Sequence, residues 1–186
     1  MKSTESIDNF IKAHLKESRL RHTYGVRDTA VHLAKLYGAD PEKAALAALY
    51  HDSYRWLKGE EMNACIKKLG LPGRYMDNPS LAHSKIAAIM IQRDFNEDDP
   101  DIINAVCYHT TGREGMSLLE KIVYLADAIE PNRDYPAVEE IRALAEKDLD
   151  AACLMSMKNT ESYVLSTGAE MDSDTTAAIK YLETER

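Results

Sequence analysis

The segment SLLEKIVYLADAI, Ser117–Ile129, decides how the chain is read. Ser117 followed three residues later by Glu120 is a capping-box pattern, in which hydroxyl and carboxylate each satisfy a backbone N–H left free at a helix start. Behind it Ile122, Val123, Leu125, Ala126, Ala128 and Ile129 make an apolar helix, with Asp127 in its middle. A carboxylate among such neighbours must be paired, protonated or bound to a metal, because burying its charge alone is prohibitively expensive. No Lys or Arg lies three or four residues to either side of it. Its partner therefore comes from elsewhere in the chain, and a metal ion is a good candidate.

Outward from this segment the same helical grammar repeats. Ile7, Phe10, Ile11, His14 and Leu15 follow the i, i+3, i+4, i+7, i+8 spacing of an amphipathic helix. Val26, Ala30, Leu33, Ala34 and Tyr37 continue it in a second helix that Gly38 should end. Asp40-Pro41, Asn78-Pro79 and Asp99-Pro100 each pair a capping side chain with a proline at the first helical position, where the missing N–H costs nothing. Pro136 is expected to open a helix carrying Val138, Ile141 and Leu144. A long helix should span about Asp148 to Ser166, and a short last one should follow Asp174. No strand-like alternation runs beyond a few residues. The expectation is an all-α fold of about seven to nine helices in one domain over residues 1–186. Its metal-site core should span about 18–130 and its C-terminal helices about 136–184.

At 186 residues the chain is long enough to bury roughly 70% of its unfolded surface without disulfides or structural metal. Its 23 Lys and Arg against 31 Asp and Glu give a formal charge of −8. That balance argues against nonspecific binding to DNA, RNA or anionic lipid, which needs a basic surface. It leaves a phosphate-bearing small molecule open, since a local site decides that. Cys65, Cys107 and Cys153 are scattered and odd in number, so buried free thiols in a reducing cytoplasm are expected, not a disulfide framework or a zinc knuckle. Glu5 and Asp8 interrupt the first apolar residues, which reads against a signal peptide, and no apolar run approaches the ~18 residues of a membrane span.

Six histidines are present, and four stand at informative places. His22 falls in the first turns of the second helix, His51-Asp52 near the end of the third, His83 one turn into the helix that Pro79 opens, and His109 at the end of the next. His14 and His32 read as ordinary hydrogen-bonded or rim residues. Adjacent helical residues diverge by roughly 100°, so His51 and Asp52 serve one site only near a helix end. With His22 and Asp127 they form a nitrogen and oxygen donor set without thiolate, which suits iron, manganese or another divalent ion better than a closed tetrahedral zinc. His83 and His109 are then available for a second metal or for the substrate. Two metals about 3.5–4 Å apart activate water and clamp a transferring phosphoryl group.

The order His22, His51-Asp52, Asp127 resembles the HD-domain superfamily of metal-dependent phosphohydrolases, and His83 with His109 resembles its members with a dinuclear centre. More specifically, RLRHTYGV (Arg19–Val26), Tyr50-His51-Asp52, Leu81-Ala82-His83-Ser84, YHTTG (Tyr108–Gly112) and above all YLADAIEPNRD (Tyr124–Asp134) are similar to YqeK-type HD proteins. The likeness covers about residues 5 to 183. It implies a symmetrical bis(5'-nucleosyl)-tetraphosphatase that splits diadenosine tetraphosphate and water into two ADP at an iron centre. Carried over by position, His22, His51, Asp52 and Asp127 are implied metal ligands, with His83 and His109 completing a second metal or holding phosphate. The catalytic set implied is Asp52, His83, His109 and Arg133; Arg19 and Arg133 face the polyphosphate, and Lys85, Thr111 and Thr175 are further substrate contacts. One departure lies near the C-terminus, where Ser173-Asp174-Thr175 precedes Ala178-Ile179-Lys180 in place of a Pro-x-Thr followed by Ala-Arg-Asn. Related HD groups hydrolyse alarmones, deoxynucleoside triphosphates or cyclic nucleotides, and a non-catalytic nucleotide-sensing module is the reading outside enzymes. Ligand spacing does not separate these, nor does it say whether the chain forms a homodimer.

Overall fold

In the computed structural model, which describes residues 4–184, the chain is helical throughout. The elements are α1 (Thr4–His14), α2 (Glu17–Tyr37), α3 (Pro41–His51), α4 (Gly59–Leu69), a 3-10 turn at Gly73–Tyr75, α5 (Pro79–Asp94), α6 (Pro100–Tyr108), α7 (Leu118–Ile129), α8 (Val138–Ala145), α9 (Leu149–Ser166) and α10 (Ser173–Thr184). Ten α-helices among the described residues exceed the expected seven to nine. The added one is α4, which buries Met62 and Ile66 at helical spacing and ends on Gly70 in the left-handed region at φ 69°.

The capping signals act as read. Asp40 accepts from the backbone N–H groups of Glu42 and Lys43, Asn78 from Leu81 and Asp99 from Asp101. Both halves of the Ser117–Glu120 capping box are formed. Gly38 ends α2 at φ 76°, its N–H donating to the Ala34 carbonyl. Two expectations need correcting. Pro136 sits in the turn before α8, and Ala137 at φ 75° is the residue from which the helix starts at Val138. The last helix is not short: it runs 12 residues and begins at Ser173.

Packing follows the apolar faces. α2 packs against α3 and α7, α6 against α3, α5 and α7, and α7 also packs against α8 and α9. Ile122, Val123, Leu125 and Ala126 of α7 are fully buried, as are Ile7 and Ile11 of α1 and Leu33 of α2. Of the three free cysteines Cys153 is buried, while Cys65 and Cys107 are half-buried. No helix among the described residues is long and apolar enough to cross a membrane.

Candidate metal centre

Five elements bring their polar residues to one point inside this core. α2 contributes His22; α3 ends on His51 with Asp52 as its C-cap; α5 contributes His83, α7 Asp127, and His109 caps the end of α6. Because Asp52 has left helical geometry, at φ −107° and ψ 11°, it and His51 converge: His51 Nε2 lies 3.5 Å from Asp52 Oδ2. His22, His51, Asp52, His83 and His109 are buried; Asp127 is half-buried, open on one side.

Each ring is tied down through Nδ1. His51 Nδ1 lies 2.6 Å from the Ala48 carbonyl, His109 Nδ1 2.8 Å from the Val106 carbonyl and His22 Nδ1 3.0 Å from Glu130 Oε1. These partners only accept, so the hydrogen-bond network assigns the proton to Nδ1 and leaves Nε2 a bare lone pair. His83 Nδ1 lies 3.0 Å from the Pro79 carbonyl and 3.0 Å from Arg55 Nη1, so its tautomer is shared between two demands.

The Nε2 atoms all point inward at acceptors. His22 Nε2 is 3.0 Å from Asp127 Oδ1 and 3.7 Å from Asp52 Oδ2; His51 Nε2 is 4.0 Å from Asp127 Oδ1; His83 Nε2 is 3.3 Å from Asp52 Oδ1 and 3.0 Å from His109 Nε2. Lone pairs facing carboxylates at these distances repel unless a cation sits among them. The buried Nε2 atoms of His22 and His51 have no hydrogen-bond partner, a costly condition that a coordinated ion removes. Two triads have ligand atoms all within 4.8 Å of one another, His22/His51/Asp127 and His51/Asp52/His109, sharing His51. The residues present therefore fit a divalent metal, with imidazole and carboxylate donors and each ring oriented by an acceptor on its far side.

Electrostatics agrees. Burial pushes the Asp127 carboxyl up, but a hydrogen bond from His22 when its Nε2 carries a proton, together with Arg133 and His51, outweighs it and holds it well below the usual carboxylate range. Burial acts likewise on Asp52, and His51, His83 and His109 overcome it. Burial pushes His83 down to about 4 and, with the neighbouring His51 and His83 rings, His109 down to about 3, so both are neutral near pH 7. Burial also lowers His51, yet Asp52 and Asp127 more than restore it. A cation at those oxygens competes for the place of the His51 proton, so metal binding should release protons.

Arg133 supplies a partner for Asp127 from beyond its own helical turns. Its Nη2 lies 2.5 Å from Asp127 Oδ1, and its Nε donates to the Asp127 carbonyl at 2.7 Å. The partner is thus six residues on, reached because the chain leaves the helix at Glu130 and folds back. Arg19 Nη1 makes the matching contact with Asp52 Oδ2 at 2.9 Å. Lys85, Thr111 and Thr175 are not brought to the cluster. Lys85 follows His83 by two positions, roughly 200° around the helix; it lies 4.0 Å over the Tyr108 ring and 3.5 Å from Asp174. Thr111 is buried and donates to the Gly112 carbonyl, and Thr175 is buried in α10.

Three residues escaped the sequence reading. Glu130 is 1% exposed and holds both His22 Nδ1 and, at 2.7 and 2.8 Å, the backbone and side-chain nitrogens of Asn132. Gly25, one turn after His22, makes room for it: a Cβ there would lie 2.5 Å from Glu130 Oε2. Both stand in motifs quoted above, but their types alone named no role. Arg55 contacts His83, and nothing in the sequence distinguished it from a solvated arginine. A cleft of about 660 Å³ opens onto the cluster, lined in part by His109, Asp127, Arg133, Tyr124, Tyr135 and Tyr163.

Comparison with known proteins finds close relatives over most of the chain. The chain is 43% identical to the protein named symmetrical bis(5'-nucleosyl)-tetraphosphatase from Bacillus subtilis (strain 168), over 92% of this chain and 93% of that one. It is 42% identical to the protein of that name from Halalkalibacterium halodurans, over 92% of each chain. A crystal structure from Clostridium acetobutylicum, of a "predicted HD superfamily hydrolase involved in NAD metabolism", superposes with a TM-score of 0.94 at 40% identity, covering the whole of both chains. The HD domain model matches residues 19–132, the span that holds every member of the cluster except the C-terminal supports of its cleft. On that match, and with relatives this close over nearly its full length, the chain belongs to the HD domain family, in its YqeK-type branch.

Proposed function

We propose that this chain, residues 1–186 acting as one HD phosphohydrolase domain, hydrolyses diadenosine tetraphosphate and related dinucleoside tetraphosphates symmetrically, giving two ADP. The observation that carries the reading is the kinship with proteins named for that activity, at 43% and 42% identity over 92% of the chain. The buried nitrogen and oxygen cluster supplies the chemistry such a reaction needs. His22, His51, Asp52 and Asp127 would hold a metal, with His83 and His109 completing a second or holding phosphate. Iron is the first choice on the family resemblance, and the nitrogen and oxygen donor set also suits manganese or another divalent transition metal. Bound there, divalent metal would offset phosphate charge and bring the pKa of a water toward neutrality.

The chain's own groups do the rest. Asp52 and Asp127 stay ionised and anchor the centre. The neutral His83 and His109 present Nε2 without adding charge. Arg19 and Arg133, fixed by the cluster carboxylates, present guanidinium edges where charge develops on the inner phosphates, and such preorganised cations lower a phosphoryl-transfer barrier. Water adds to one inner phosphorus; the bond to the bridging oxygen breaks, and its electron pair leaves with the second ADP. ADP is a stable anion near pH 7, so no side chain need protonate it. The three free thiols support a cytoplasmic setting.

A product assay tests the proposal. Protein purified without added metal is analysed for bound metal and then given diadenosine tetraphosphate, an alarmone, a deoxynucleoside triphosphate and a cyclic nucleotide. Two ADP per diadenosine tetraphosphate, with little turnover of the others, is expected. ATP plus AMP, or preference for another of the four, overturns the reading.

A further inference from the structure

A second cleft, of about 550 Å³, lies beside the cluster, separated from it by Arg19 and Arg55. It shares no lining residue with the cleft that runs past His109 and Asp127. Lys16, Arg19, Arg55 and Lys58 line it and no carboxylate does, in a chain whose formal charge is −8. Two of these cations touch the cluster directly: Arg19 through Asp52 at 2.9 Å, and Arg55 through His83 Nδ1 at 3.0 Å. A polyphosphate that leaves the centre on this side therefore meets four positive side chains.

The same cleft carries an aromatic face. Trp56, the chain's one tryptophan, is 37% exposed and stacks on His14 with centroids 5.0 Å apart at 29°. His14 stacks in turn on Phe10 at 4.2 Å and 27°, so the indole ends a three-ring stack rooted in α1. Exposed large apolar groups are few among the described residues, and this one stands at a cationic cleft whose Arg19 and Arg55 touch the cluster. A purine nucleotide asks for that pairing: a π-face for the base and guanidinium or ammonium groups for the phosphates.

We propose that this cleft binds the second nucleoside diphosphate half of the substrate, its phosphates against Arg19 and Arg55 and its base stacked on Trp56, while the cleft past Asp127 and Arg133 takes the first half. This rests on the reading of the chain as a dinucleoside tetraphosphate hydrolase and deepens it. Two equal halves in two clefts set the inner phosphates at the cluster, so the scissile bond is the central one. The electron pair of the broken bond leaves with the half in the cationic cleft, whose side chains stabilise it. A mononucleotide fills one cleft and gains half the binding surface, which selects for two nucleosides joined by a chain long enough to span both.

Trp56 reports on its own site. Metal-loaded protein is titrated with ADP while tryptophan emission is followed, and bound ADP is counted by equilibrium dialysis. Two ADP per chain are expected, one of them quenching the emission. Trp56→Leu should keep one ADP and lose the other, and it should raise the KM for diadenosine tetraphosphate about tenfold or more. Lys58→Glu, at an exposed position, should weaken the quenching site while leaving Trp56 in place. A single ADP per chain with unchanged emission at saturation overturns the proposal, even in a protein that makes two ADP from diadenosine tetraphosphate. Two sites with quenching in a protein that makes none uphold the cleft and sink the hydrolase reading.

Discussion

Gly25→Ala separates a positioning role from a merely helical one. In the interior of a helix such as α2, Gly→Ala ordinarily stabilises by about 1 kcal/mol, because the glycine loses more backbone freedom on folding. Here the new Cβ would lie 2.5 Å from Glu130 Oε2 and 3.2 Å from its Cδ. Glu130 cannot step aside cheaply, since it is buried and its two oxygens hold His22 Nδ1 and both Asn132 nitrogens. Overpacking of this kind costs about 1–3 kcal/mol, so the gain should vanish or reverse. The sharper effect is on the centre. A displaced Glu130 releases His22, and loss of such an outer hydrogen bond typically lowers metal affinity about 10–100-fold. Equilibrium dialysis against buffered metal, read as ions per chain, measures this beside a denaturant melt. A variant that gains about 1 kcal/mol and binds metal like the parent would refute the reasoning.

Other outcomes follow from the same geometry. Asp52→Ala and Asp127→Ala should each lose both bound metal and turnover, and full turnover after chelation and dialysis would contradict the assignment. Arg133→Ala should keep its metal but raise KM, and unchanged kinetics would return Arg133 to the solvated class. The metal-free protein should lose stability as pH falls from about 6.5 toward 4, where unfolded histidines protonate and the buried His83 (about 4) and His109 (about 3) do not. The unfolded state then binds more protons, so each ring gives a slope of up to ~1.4 kcal/mol per pH unit. His51, shifted up, has the opposite sign but acts only above that window, where the folded state holds the extra proton. Urea melts at pH 7 and pH 5 check this; greater stability at pH 5 would be the wrong sign.

What the sequence disclosed was what local chemistry writes plainly. Proline after Asp or Asn fixed three helix starts, and the Ser117–Glu120 pair fixed a fourth, because caps act within a few residues. α4 was hidden: it has a glycine first residue and no side-chain cap, so only Met62 and Ile66 marked it. In the centre, Asp127 was exposed as an anomaly by its apolar neighbours, and the pair His51-Asp52 by its place at a helix end. The tie from Arg133 was missed because a chain reversal, not helical periodicity, brings residue 133 to residue 127. Lys85, expected as a substrate contact, stands apart from the cluster, since two steps along α5 turn it away from His83 toward Tyr108 and Asp174. Glu130, Gly25 and Arg55 depend on contacts of α2 and α5 with the segments that follow α7 and α3, which no single stretch of sequence records.

The central claim is that the buried His/Asp cluster is a metal centre for symmetrical hydrolysis. Its most direct test is to strip the protein of metal, restore iron or manganese stepwise, and follow diadenosine tetraphosphate hydrolysis in water enriched in oxygen-18. Turnover should return in proportion to ions bound, with ADP the sole nucleotide product and one labelled oxygen on the terminal phosphate of every second ADP. Label in ATP or AMP, or turnover by the stripped protein equal to that of the restored one, would contradict the account.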